Sequence, residues 1–188
     1  KELQETLIAE MRGRIKENDS SVPTKDGPYA YFVKYEEGGE HPINIRTPRD
    51  GGEEEILLDI NKEAENHKYF QVGTMSTNPS HDILAWSRDT SGAEYYALVF
   101  RDLKTGKDSD YEIADVGSAT WGDDKTLFYS RVDENHRPSK IYRHTLGTSP
   151  NDDVLVYEEN DPRFYCGVGK TRSKEFIILA TGMNDQDE

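Results

Sequence analysis

Cysteine is nearly absent from the 188 residues. Cys166 stands alone, which excludes an internal disulfide framework and a cysteine-rich zinc site. No apolar run approaches the roughly 18 residues of a membrane-spanning helix. The start, Lys1-Glu2-Leu3-Gln4-Glu5, has neither an initiator Met nor the apolar stretch of a signal peptide. Positive charge is scarce: 23 Lys and Arg face 37 Asp and Glu, a net charge of −14. Phosphate neutralisation needs a basic surface, so this balance argues against a nucleic-acid partner. It permits a basic partner or substrate, with solubility the plainer cause. Leu, Ile, Val and Phe are also few, 37 in all and just under a fifth of the chain, at the border of disordered compositions. The aromatics pull the other way, since 11 Tyr, 6 Phe and 2 Trp are more than a solvated tail carries. The expectation is a soluble, cytoplasmic piece of a longer chain, with a thin aromatic core and no membrane or nucleic-acid partner.

Residues 1–17 carry the one convincing helical pattern. Leu3, Leu7, Ile8, Met11 and Ile15 fall on a single stripe, and Asn18-Asp19-Ser20-Ser21-Val22-Pro23 stops it. Residues 1–26 therefore read as a helical segment and linker. From residue 27 the texture changes to short aromatic and β-branched runs punctuated by Pro and Gly. Strands are expected near Tyr29–Tyr35, Ile43–Arg46, Glu55–Asp59, Phe70–Ser76, Ile83–Ser87 and Tyr95–Asp102. More are expected near Ser118–Trp121, Thr126–Arg131, Lys140–His144, Val154–Glu158, Phe164–Val168 and Phe176–Ala180, with one helical turn at Asn61–Glu65. That pattern is all-β.

An internal repeat sharpens it. Ile83-Leu84-Ala85-Trp86-Ser87 recurs as Thr126-Leu127-Phe128-Tyr129-Ser130, and more loosely as Phe176-Ile177-Ile178-Leu179-Ala180. The strand leading to Gly106 answers the strand leading to Gly147. A period of about 40–50 residues with four short strands per unit is that of a β-propeller blade. A sandwich of meandering hairpins is the alternative. Residues 27–188 would form a partial β-propeller of about three and a half blades, at roughly 27–68, 69–115 and 116–160, with the next begun at 161–188. Its end strands would be open edges that invite pairing with another copy.

Catalytic machinery is not evident. Gly167-Val168-Gly169-Lys170-Thr171 has the ending of a phosphate loop, but Phe164 occupies the position of the earlier glycine, and an apolar strand follows instead of a helix. A hairpin turn fits better. His41, His67, His81, His136 and His144 share no helical i, i+4 face, and each reads as a surface or hydrogen-bonded structural residue. Asp123-Asp124 and Asn151-Asp152-Asp153 read as acidic turns. No Gly-x-Ser-x-Gly occurs, and Cys166 sits in an aromatic strand as a buried thiol. The reading is no catalytic residue, no cofactor and no metal in this chain.

Several segments resemble oligopeptidase B, of the prolyl oligopeptidase family of serine peptidases. They are Gly13 through Pro23, Leu57-Leu58-Asp59-Ile60-Asn61 with His67 and Tyr69-Phe70, Tyr142 through Thr148, and Asp153 through Glu159 followed by Asp161 and Arg163-Phe164-Tyr165. They run in order along nearly the whole chain. The resemblance implies a portion of a seven-bladed propeller set over an α/β-hydrolase domain that cleaves short peptides after Lys or Arg. The Ser, Asp and His of that chemistry, and the acids that hold the basic side chain, would lie in the hydrolase domain, outside these residues. The implied partners are that hydrolase domain and short basic peptides as substrates. One position carries over: the residue matching Glu94 in relatives sits on the propeller rim and makes a charged contact with the hydrolase domain. Some relatives carry Arg there, so the partner charge is not fixed. An ordinary solvated glutamate is the competing reading. The competing function class is a non-enzymatic binding module whose blades close by oligomerisation.

Overall fold

The period-two runs of the sequence form antiparallel sheets throughout a computed structural model that describes residues 1–183 and the backbone of residues 186–187. The chain divides into two units, Lys1–Asn66 and His67–Glu188.

The first unit opens with helix α1 (Glu2–Gly13). It is shorter than the periodicity predicts. Gly13 weakens the last turn, and the Arg14 and Ile15 amides bond three residues back, to Met11 O and Arg12 O. Leu3, Leu7, Ile8, Met11 and Ile15 are all exposed, and no residue of α1 is buried. Two short strands, β1 (Asp19–Ser20) and β2 (Thr24–Asp26), lie in the segment expected as linker; both pair with β3 (Tyr29–Tyr35). β3 is followed antiparallel by β4 (Ile43–Pro48) and β5 (Glu55–Asp59). Ile43, Ile45, Leu57 and Leu58 are buried on this sheet. Asp59 then caps the short helix α2 (Ile60–Ala64) by accepting from the Lys62 amide.

The second unit holds three antiparallel sheets. The first is β6 (Gln71–Thr77), β7 (Ile83–Asp89), β8 (Ala97–Asp102) and β9 (Lys107–Asp108). The next is β10 (Val116–Trp121), β11 (Thr126–Val132), β12 (Pro138–Thr145) and β13 (Val154–Glu158). The last is β14 (Tyr165–Lys170), β15 (Ile177–Met183) and β16 (Gln186–Asp187). Of the blade expected to begin at 161–188, residues 184, 185 and 188 lie outside the described residues.

Each sheet is ordered as its strands follow in sequence, and the first strands β6, β10 and β14 are neighbours. Side chains tie sheet to sheet. The Trp121 indole donates to Ser76 O at 3.0 Å, and the Lys170 ammonium to Trp121 O and Gly122 O at 2.9 and 3.0 Å. The core between the first two of these sheets is aromatic: Phe100 meets Trp121 edge-on, stacks against the His144 ring, and packs beside Tyr111.

The sequence repeat occupies equivalent places in this architecture. Leu84 and Leu127 are fully buried on the second strands β7 and β11, and Gly106 and Gly147 turn the chain after the third strands with φ of +69° and +86°. The repeated serines bond the bulged first strand beside them: Ser87 Oγ accepts from the Thr74 amide and Ser130 Oγ from the Ser118 amide, at 2.9 and 2.8 Å. At each bulge stands a glycine. An added Cβ would lie 2.7 Å from Ser87 Oγ at Gly73 and 2.9 Å from Ser130 Oγ at Gly117.

Candidate functional site

Antiparallel order places the β7–β8 turn, the β11–β12 turn and the segment entering β14 at one end of the sheets, and Glu94 lies there. Asp89 closes β7 with its carboxylate buried, 1% exposed. Oδ1 accepts from the Ser91 amide at 2.8 Å, the Ser91 hydroxyl at 2.7 Å and the Gly92 amide at 3.1 Å; Oδ2 accepts from the Glu94 amide at 2.8 Å. Burial pushes the Asp89 carboxyl up, but these donors outweigh it and hold the group below the ordinary carboxylate range. Tethered this way, Glu94 takes a left-handed φ of +61°, uncommon for a residue with a Cβ, and its side chain is exposed. Tyr95, next in line, sets its ring 4.1 Å from that of His136 in the adjacent turn, and its hydroxyl donates to Asp133 O at 3.3 Å. Glu94 is therefore a charge on a held turn.

Asp133 does for its own turn what Asp89 does for the first. Its carboxylate accepts from the Asn135 and Arg137 amides and from Arg137 Nε, at 2.9, 3.1 and 3.0 Å. It too is raised by burial and lowered further by these donors, ending below its ordinary value.

The remaining candidate residues serve the fold. The Gly167–Lys170 stretch is strand β14, Lys170 bonds carbonyls as described, and residues 171–176 form a hairpin turn closed by the Thr171 amide on Phe176 O at 2.9 Å. Cys166 is buried on β14, and that burial, helped by the charge of Glu159, pushes its thiol up to about 11, which makes it a poor nucleophile. Asp123 caps the amides of Lys125 and Thr126, both at 2.8 Å, and Asp124 accepts from the Ser80 amide at 2.7 Å. His41 bonds Asn61 through its backbone, and His67 packs beside Phe70. His81 is buried with φ of +59°. Among the described residues no three His, Cys, Asp or Glu gather as metal ligands.

Asp153 departs from its turn reading. Its carboxylate accepts from His144 Nδ1 at 2.7 Å and from the Tyr129 hydroxyl at 2.8 Å, with the His144 and Asp153 side chains 0% and 2% exposed. The far nitrogen, His144 Nε2, meets the Tyr111 hydroxyl at 3.1 Å, which itself accepts from the Gly147 amide at 2.9 Å. A His–Asp pair is two members of a hydrolytic triad, but here both side chains are buried and the histidine's outer nitrogen meets a tyrosine hydroxyl where a triad places its nucleophile. It is a buried polar network that locks β11, β12 and β13 together. Spacing alone did not reveal it, because the partners lie nine positions apart with a 3₁₀ turn (Pro150–Asp152) between them.

Residues 1–187 match the family model described as prolyl oligopeptidase, N-terminal beta-propeller domain. The oligopeptidase B structure from Leishmania major superposes with a TM-score of 0.90 at 29% identity, over 96% of this chain and 26% of that one. That of oligopeptidase B from Trypanosoma brucei, in a closed form with covalently bound antipain, gives 0.86 at 31% identity over the same shares. Dipeptidyl aminopeptidase BI of Pseudoxanthomonas mexicana is 32% identical across 96% of this chain and 28% of its own length. Protease 2 of Moraxella lacunata is 29% identical across 100% of this chain and 29% of its own. The chain thus spans less than a third of these relatives. It belongs to the prolyl oligopeptidase family of serine peptidases, and its sheets are blades of that family's N-terminal β-propeller domain.

Proposed function

We propose that this propeller segment serves an oligopeptidase that hydrolyses short peptides after Lys or Arg. In this reading an α/β-hydrolase domain supplies the serine nucleophile, its histidine base and the donors that stabilise the oxyanion. The propeller covers that site, admits short or unfolded peptides, and offers Glu94 as a charged contact across the closing interface. The agreement of backbone and sequence with two oligopeptidase B structures over 96% of the chain carries the proposal. The net charge of −14 fits it, since an acidic surface raises the local concentration of basic peptides. A cytoplasmic setting is part of the same proposal, with the one thiol buried and unpaired.

The test is made on the whole polypeptide, with arginyl, lysyl and prolyl substrates of matched length. Preference for the basic residues is expected, with cleavage falling away for folded substrates. A Glu94→Gln variant is expected to lose about tenfold in kcat/KM, the worth of one charge-assisted hydrogen bond. Cleavage after Pro alone would remove the specificity, and an unchanged kcat/KM would remove the role of Glu94.

A further inference from the structure

The turn that carries Glu94 is the first of three linked segments. Tyr95 leans on His136 and donates to Asp133 O, which joins 89–96 to the β11–β12 turn. Arg137, in that second turn, reaches onward. Its Nε holds Asp133 Oδ2 at 3.0 Å, while the two hydrogens of its Nη1 are shared among Glu159 O, Asp161 O and Phe164 O at 3.3, 3.2 and 2.8 Å. Those carbonyls belong to the segment entering β14, which is itself folded by the Asp161 carboxylate on the Arg163 amide and guanidinium. One planar cation therefore clamps a carboxylate on one sheet's turn and three carbonyls on the approach to the next. A lysine, with its point charge on a flexible stem, does not reproduce such a fork.

We infer that Arg137 is a positioning residue that fixes the 89–96 turn, and with it Glu94, by binding three successive rim segments into one body. The inference rests on the proposed role of Glu94 only for its consequence in catalysis; the mechanical coupling stands on the geometry. A plain stabiliser would lower the protein's melting temperature and leave the Glu94 turn as it was. A positioning residue alters that turn from two segments away.

The experiment uses the whole protein with Arg137→Lys, Tyr95→Phe, Glu94→Gln and the Arg137→Lys/Glu94→Gln double variant. Tyr95→Phe removes only the hydroxyl bond to Asp133 O and serves if Arg137→Lys fails to fold. Backbone hydrogen exchange is read at Ser91, Gly92 and Glu94, whose amides bond Asp89, and steady-state kinetics are read on a short arginyl substrate. Arg137→Lys or Tyr95→Phe is expected to speed exchange at those three amides about tenfold. Arg137→Lys is expected to lower kcat about fivefold with KM within twofold, and the double variant to be no slower than Glu94→Gln alone. Faster exchange confined to 132–138 and 159–164, or losses that multiply in the double variant, would overturn the inference. If Glu94→Gln is silent in kinetics while exchange at 91–94 still rises, the coupling stands and the catalytic role of Glu94 falls.

Discussion

Replacing Asp153 by Ala separates a buried structural pair from a catalytic remnant. The carboxylate accepts two bonds, from His144 Nδ1 at 2.7 Å and the Tyr129 hydroxyl at 2.8 Å, and both donor residues are completely buried. Each donor stranded without an acceptor costs about 1–3 kcal/mol, so the pair is worth about 2–6. The Tyr129 hydroxyl still accepts from Arg131 Nη2, and a water entering the vacated space would recover part of the loss. The expected destabilisation is therefore about 4 kcal/mol, a large share of a typical domain's 5–15. Asp153→Asn keeps the shape and one acceptor oxygen and is expected to lose about half as much. Urea unfolding, followed through the buried Trp86 and Trp121, measures both. A loss below about 1 kcal/mol for the alanine variant would refute the reasoning. So would normal stability accompanied by loss of peptidase activity, the pattern of a working His–Asp pair.

Cys166, buried and with its thiol pushed up to about 11, is expected to react with a disulfide reagent at pH 8 only at the rate of unfolding; rapid labelling of the folded protein would contradict that. Gly73→Ala is expected to cost about 1–3 kcal/mol, because its Cβ would lie 2.7 Å from Ser87 Oγ and from a Tyr96 ring carbon. Gly13→Ala, with nothing within 4 Å, is expected to add a few tenths to about 1 kcal/mol by favouring α1. Thermal unfolding of the two variants in opposite directions checks the pair. Asp89 and Asp133 both titrate below their unfolded values, so they bind fewer protons folded than unfolded near pH 4. Their contribution is present above that pH and lost on acidification through the folded values. Protection of the amides at 91–94 and 135–137, measured against their intrinsic exchange rates, is accordingly expected to fall below about pH 4, and in Asp89→Asn the pH dependence of the protection at 91–94 is expected to vanish.

Strand positions were legible in the sequence wherever apolar runs met turn residues: β3, β5 and β13 begin and end where Tyr29–Tyr35, Glu55–Asp59 and Val154–Glu158 do. The two-residue strands β1 and β9 were not, since Asp19–Ser20 and Lys107–Asp108 are polar and exist only through the partner strand beside them. The helical stripe of α1 was legible as a pattern, but a period says which residues share a face and not what covers it. The repeat shows the same limit from the other side. Ser87 and Ser130 were visible as equivalent letters, yet their use, each capping a bulge amide opposite a glycine with no room for a Cβ, needs the register of β6 on β7 and β10 on β11. Where the serine and the bulge are missing the repeat loosens: Ala180 stands in for the serine on β15, opposite Gly167 in an unshifted register, and nothing lies within 4 Å of a Cβ at Gly167. The rim follows the same logic. Glu94 was singled out through resemblance alone, while Asp89, Tyr95, His136 and Arg137 carry no motif that spacing could expose. Asp89 bonds amides of its own turn, while Tyr95 and Arg137 reach carbonyls of other segments, and a bond to a backbone atom leaves no trace in the identity of the residue that owns it. What the residue type does disclose is capacity. An arginine has donors enough for a carboxylate and a row of carbonyls at once, and that is what makes Arg137, and not a charge of the same sign, the member of the rim on which the others depend.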